Sequence, residues 1–123
     1  MLTIKPIKTN NPSFQSLKSV STSDFLKYPT EGRLNSIKEF YNSQEIKNFC
    51  DKYDVYAEFG RDYYDYAKGF YDKLMLFVAN FIDIHGHFVR IDLDSYDKER
   101  SLTHTIRELK SGDLEKMLQE QRT

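Results

Sequence analysis

One cysteine, Cys50, excludes an intrachain disulfide. That scarcity fits a reducing compartment. Phe49 and Tyr53 beside Cys50 mark a core thiol rather than a reactive one. Tryptophan is absent, and glycine and proline are scarce, at five and three in 123 residues. Neither charge sign dominates: the formal net charge is −1, which gives no general attraction to nucleic acid. The longest apolar run, residues 74–84, is too short for a bilayer and includes Asn80 and Asp83. The opening MLTIKPIKTN lacks the apolar core of a signal peptide. These absences point to a cytoplasmic protein without a membrane partner, in the host cytoplasm if a virus or mobile element encodes it. No glycine-rich phosphate loop, Cys-x-x-Cys pair or strand-turn-helix serine occurs, and no cofactor is expected.

What is abundant is phenylalanine and tyrosine, nine of each, together 15% of the chain. That is enough apolar area to fold, and the length is that of one domain, 1–123. Residues 1–29 read as a partly extended arm. Leu2, Ile4 and Ile7 suggest an edge strand over 2–7, followed by a polar stretch with apolar points at Phe14, Leu17 and Val20. Ser23 could cap a short turn that Pro29 ends.

From Thr30 onwards the spacing is predominantly helical. Thr30 caps a helix over 31–42 with Leu34, Ile37 and Tyr41 inward. Ser43 caps a second, whose stripe Ile46, Phe49, Tyr53, Tyr56 reaches Phe59 before Gly60. Tyr63, Tyr66, Phe70, Leu74, Phe77, Phe81 and Ile84 then recur every three or four residues, which predicts a long central helix over about 61–84. The same region admits a competing hairpin, 81–84 turning through His85-Gly86 into 87–93. Val89, Ile91 and Leu93 alternate with Phe88, Arg90 and Asp92, so 87–93 reads as a strand, to be paired with 2–7 or with a second chain. A helix over 98–110 that Gly112 stops and a short last one capped by Asp113 complete the reading. The expected fold is α+β, predominantly α-helical. It has four or five helices around the central one and short strands near 2–7 and 87–93.

Two constellations carry candidate chemistry. Asp51, Asp54, Glu58, Asp62 and Asp65 are spaced 3, 4, 4 and 3, which would align them along one helix ridge, with Asp72 further on. Such a row approximates the phosphates of a nucleic-acid strand and could block the basic groove of a nucleic-acid enzyme. Asp54, Glu58, Asp62, Tyr64, Asp65 and Asp72 are the candidate partner-binding residues. The alternative is a metal site: His85 and His87 form a His-x-His pair that could grip a divalent cation with Asp94.

The leading expectation is a small non-enzymatic protein that inhibits a host nucleic-acid-processing or defence enzyme, of the kind phages make. A metal-dependent nuclease or phosphoesterase and a self-assembling structural module, such as a homodimer, are the alternatives. The expected partner is a protein. Direct nucleic-acid contact is disfavoured, although Lys5, Lys8, Lys18, Lys27, Arg33 and Lys38 make the first forty residues locally basic.

Overall fold

The computed structural model describes residues 17–63, 69–82, 86–95 and 100–122. The element order is β1 (Leu17–Ser21), α1 (Ser23–Lys27), α2 (Glu31–Asn42), α3 (Gln44–Lys52), β2 (Val55–Tyr63), β3 (Phe70–Ile82), β4 (Phe88–Asp94), α4 (Leu102–Arg107) and α5 (Asp113–Arg122). The four strands lie in sequence order in one mixed sheet. β1 runs parallel to β2, and β2, β3 and β4 form an antiparallel meander. A parallel pair needs a long crossover, and α1, α2 and α3 supply it.

The two helices with clear caps form where the sequence places them. The Thr30 hydroxyl accepts from the Arg33 N–H at 3.1 Å, opening α2, and the Ser43 hydroxyl accepts from the Ile46 N–H at 3.3 Å, opening α3. α3 ends at Lys52, however, not at Phe59.

The predominantly helical fold is overturned. Residues 61–84 contain no helix among those described; 61–63 close β2 and 70–82 are β3. The reason is that Leu74, Leu76 and Val78 on one face of β3 are fully buried, and Met75 on the other is buried too. Where both faces of a strand are apolar, every third or fourth residue is apolar by default, and the spacing imitates a helix. β2 does alternate: Val55, Ala57 and Phe59 are buried, while Tyr56 is exposed. Of the two readings at the second turn, the hairpin is the one that forms. β3 pairs with β4, and Gly86 takes φ +84°, a left-handed conformation suited to glycine. β4 thus pairs with β3 rather than with 2–7; residues 2–7 lie outside the described residues.

The five helices of the described residues pack on one face of the sheet. Phe25, Phe40, Phe49, Leu102, Ile106, Leu114 and Leu118 meet Val55, Phe59, Leu76, Val89 and Ile91 in one core cluster. Phe59 lies at its centre, with ring centroids 5.0 Å from Phe25 and 5.3 Å from Phe40. Cys50 is buried as expected, and desolvation pushes its thiol up to about 12. No helix among the described residues is long and apolar enough to cross a membrane.

Candidate functional site

Among the described residues the β2–β3 ladder runs further than its neighbours, although Ser95 after β4 still donates its N–H and its hydroxyl to the Asp72 carbonyl, at 3.0 and 2.8 Å. β1 stops pairing at Glu58, and β4 stops at Lys73. Beyond these points Arg61 pairs with Asp72, Asp62 with Tyr71 and Tyr63 with Phe70. On the helix-facing side the residues run Phe59, Arg61, Tyr63 along β2 and Leu74, Asp72, Phe70 along β3. Phe59 and Leu74 are core, but the same face then emerges from beneath the helices, and Tyr63 and Phe70 are 62% and 51% exposed. Their rings touch at 4.7 Å.

The segment between α1 and α2 closes this surface on one side. Tyr28 is 59% exposed, and the Arg61 guanidinium lies over its ring at 5.6 Å and over that of Phe70 at 4.4 Å. Arg33, in the first turn of α2, donates through Nε to both Asp72 carboxylate oxygens at 3.3 Å and through Nη1 to the Tyr28 carbonyl at 2.5 Å. Asp72 lies directly across the ladder from Arg61, yet Arg33 occupies it. The Arg61 Nε is buried and has no hydrogen-bond partner, and no carboxylate among the described residues pairs with its guanidinium.

The expected acidic ridge is not assembled. Glu58 and Asp62 point away from the helices, Asp72 points towards them, and Asp54 precedes β2. Asp54 pairs with Lys18 at 3.4 Å and Asp62 with Lys73 at 3.1 Å. A Tyr63 N–H bond, with Lys73, holds the Asp62 carboxyl below its ordinary value. Burial pulls the Lys73 ammonium down, but its bond to Asp62 and the nearby charges outweigh this and leave it raised. Tyr64 and Asp65 lie outside the described residues.

The metal ligands are not gathered either. His87 precedes β4 and Asp94 ends it, about 23 Å apart at about 3.3 Å per residue. His85 lies outside the described residues. Among the described residues no group of three His, Cys, Asp or Glu could hold a metal ion. Desolvation, followed by repulsion from Asp92, raises the Asp94 carboxyl above its ordinary value.

Two concavities lie elsewhere. One of about 280 Å³ separates α3 from the start of α5, and both oxygens of its Glu45 are bonded to backbone N–H groups of Gly112 and Leu114. The other, about 410 Å³, is lined by Phe77, Phe88, Arg90, Asp92 and Gln121, and there Asp92 neutralises Arg90 at 2.9 Å. Only at the hairpin end do exposed aromatics surround an arginine that has no carboxylate partner among the described residues.

Sequence reasoning missed Arg61, Tyr28 and Phe70 as a group. A strand reading of FGRDY would have found part of the signal, because it puts Phe59, Arg61 and Tyr63 on one face. Compared with protein-family models, curated proteins and solved structures, the chain matches none of them.

Proposed function

We propose that this chain is a non-enzymatic binding protein that acts by occupying part of a protein partner's surface through the hairpin end. The observation that carries the reading is the grouping of exposed Tyr28, Tyr63 and Phe70 around Arg61. Tyrosine and arginine are among the residues that dominate binding energy at protein interfaces, and a rigid aromatic loses little entropy on docking. Inhibition of a nucleic-acid enzyme by phosphate mimicry needs a continuous carboxylate row. With Asp72 on the other face and Asp54 and Asp62 paired, only the protein-binding part of that expectation is carried forward.

The test is capture from a cell lysate with tagged wild type and a Tyr63→Ser, Phe70→Ser double variant, followed by mass spectrometry. Both positions are exposed, so the variant keeps its core, which circular dichroism verifies. The expected result is a protein retained by wild type and lost by the variant. Equal retention by both would remove the hairpin end as the interface. Light scattering is expected to show a monomer; a dimer that the double variant abolishes would mean that a second copy fills this surface instead.

A further inference from the structure

We propose that Arg61 is an anion-recognition residue whose ligand is a carboxylate side chain of the partner, set among apolar groups that pack on Tyr28, Tyr63 and Phe70. This rests on the binding-protein reading above and names the chemistry that the surface would recognise.

Three features point to it. Within a fold, an arginine beside an aspartate on the opposite strand ordinarily pairs with it. Arg61 does not, because Arg33 holds Asp72 through both carboxylate oxygens. The guanidinium instead lies over the Phe70 ring at 4.4 Å and over the Tyr28 ring at 5.6 Å. Ring contacts orient the plane and consume none of its N–H donors. An oriented guanidinium with no carboxylate partner among the described residues is complementary to a carboxylate, which can take two parallel hydrogen bonds from its two Nη groups, the Nε being buried. The exposed rings around it would exclude water from that pair and strengthen it, as the rim of an interface does for its central contacts.

A nucleic-acid strand is the other polymer that arginine and aromatic rings can hold. The charges here disfavour it. Affinity for a strand grows with the number of phosphates neutralised. At the hairpin end Arg33 and Lys73 are already paired, with Asp72 and Asp62, so neither adds to the charge that Arg61 offers a phosphate.

The probe is a library of short random peptides displayed on phage, selected on the intact wild-type protein. Selected peptides are then measured by fluorescence anisotropy against wild type, Arg61→Lys and Arg61→Gln. An oligothymidylate is measured in parallel. The expected result is enrichment of Asp or Glu beside aliphatic or aromatic residues. Replacing that acid by its amide, or Arg61 by Gln, weakens binding about tenfold to a hundredfold, the range for losing a charge-assisted pair. Arg61→Lys keeps the charge but loses the planar fork, and recovers only part of the affinity. The Arg61 Nε–H resonance shifts on adding an acidic peptide and not on adding its amide counterpart. Enriched peptides without an acid, no enrichment, or an unmoved Arg61 resonance would each overturn the proposal. So would binding of oligothymidylate in preference to the peptides. If the carboxylate requirement fails while the Tyr63→Ser, Phe70→Ser variant still loses its captured partner, the surface stands and only its chemistry is wrong. If that variant keeps the partner, the surface itself fails.

Discussion

Phe59 shows how one side chain ties the layers together. It lies on β2 and meets Phe25 of α1 and Phe40 of α2, so three elements depend on it. Phe59→Ala would leave a cavity where all three meet. The expected cost is about 3–5 kcal/mol of unfolding free energy, read from urea denaturation. A loss below about 1 kcal/mol would contradict the packing described. Glu115 gives a pH-dependent counterpart. Its carboxylate accepts from Lys52 Nζ at 2.8 Å and from the Tyr53 hydroxyl, and these bonds hold its pKa below the ordinary value. The unfolded chain therefore takes up this proton at higher pH than the folded one. The contribution of Glu115 is present above its unfolded pKa and is lost as pH falls through the lower folded value. Denaturation midpoints measured from neutral pH down to about pH 3 are expected to fall less steeply in Glu115→Gln than in wild type. Parallel curves would rule out this linkage.

At the scale of elements, what was legible follows local chemistry. α2 and α3 are marked by Thr30 and Ser43, whose hydroxyls make the capping bonds seen. β4 is marked by Val89, Ile91 and Leu93 alternating with exposed residues, because one side faces the core and the other faces solvent. β3 was illegible for the opposite reason. Leu74, Met75, Leu76 and Val78 are all buried, and a run with no polar phase has no period to read. β2 fell with it, since Tyr53, Tyr56 and Phe59 also fit a spacing of three. The acidic ridge then dissolved, because its alignment depended on the helix. β1 was missed because Leu17 and Val20 contribute only two partly buried side chains to the core.

The sequence assigns the start of α5 to Asp113 as cap, but Asp113 accepts from the Lys110 N–H and a distant residue serves the helix. Glu45 of α3 accepts from the N–H groups of Gly112 and Leu114 at 3.1 Å and is itself buried. A carboxylate at a helix N-terminus satisfies free donors and opposes the helix dipole. Glu45→Ala should leave these donors short of an acceptor and cost about 1–3 kcal/mol. Hydrogen exchange should also accelerate at the first amides of α5 before those of α2. If α5 amides are as protected in the variant as in wild type, Glu45 is not the cap.

For the molecule as a whole, one layer of helices on one face of a mixed sheet concentrates the core and leaves the β2–β3 hairpin extending past it. The core explains why the chain folds, and the extension explains why tyrosine and phenylalanine remain in solvent. Tyr63 and Phe70 continue the core-facing rows of Phe59 and Leu74 to positions that the helices of the described residues leave exposed. Arg61 sits at the boundary, framed by rings and left without Asp72. The central claim is that this boundary is where a protein partner docks. Once capture has supplied a partner, hydrogen–deuterium exchange of the bound and free protein tests the claim most directly. Slowed exchange confined to residues 27–34, 61–63 and 69–73 is the predicted footprint. Protection confined to β4 and the end of α5, around Phe88, Arg90 and Gln121, would contradict it.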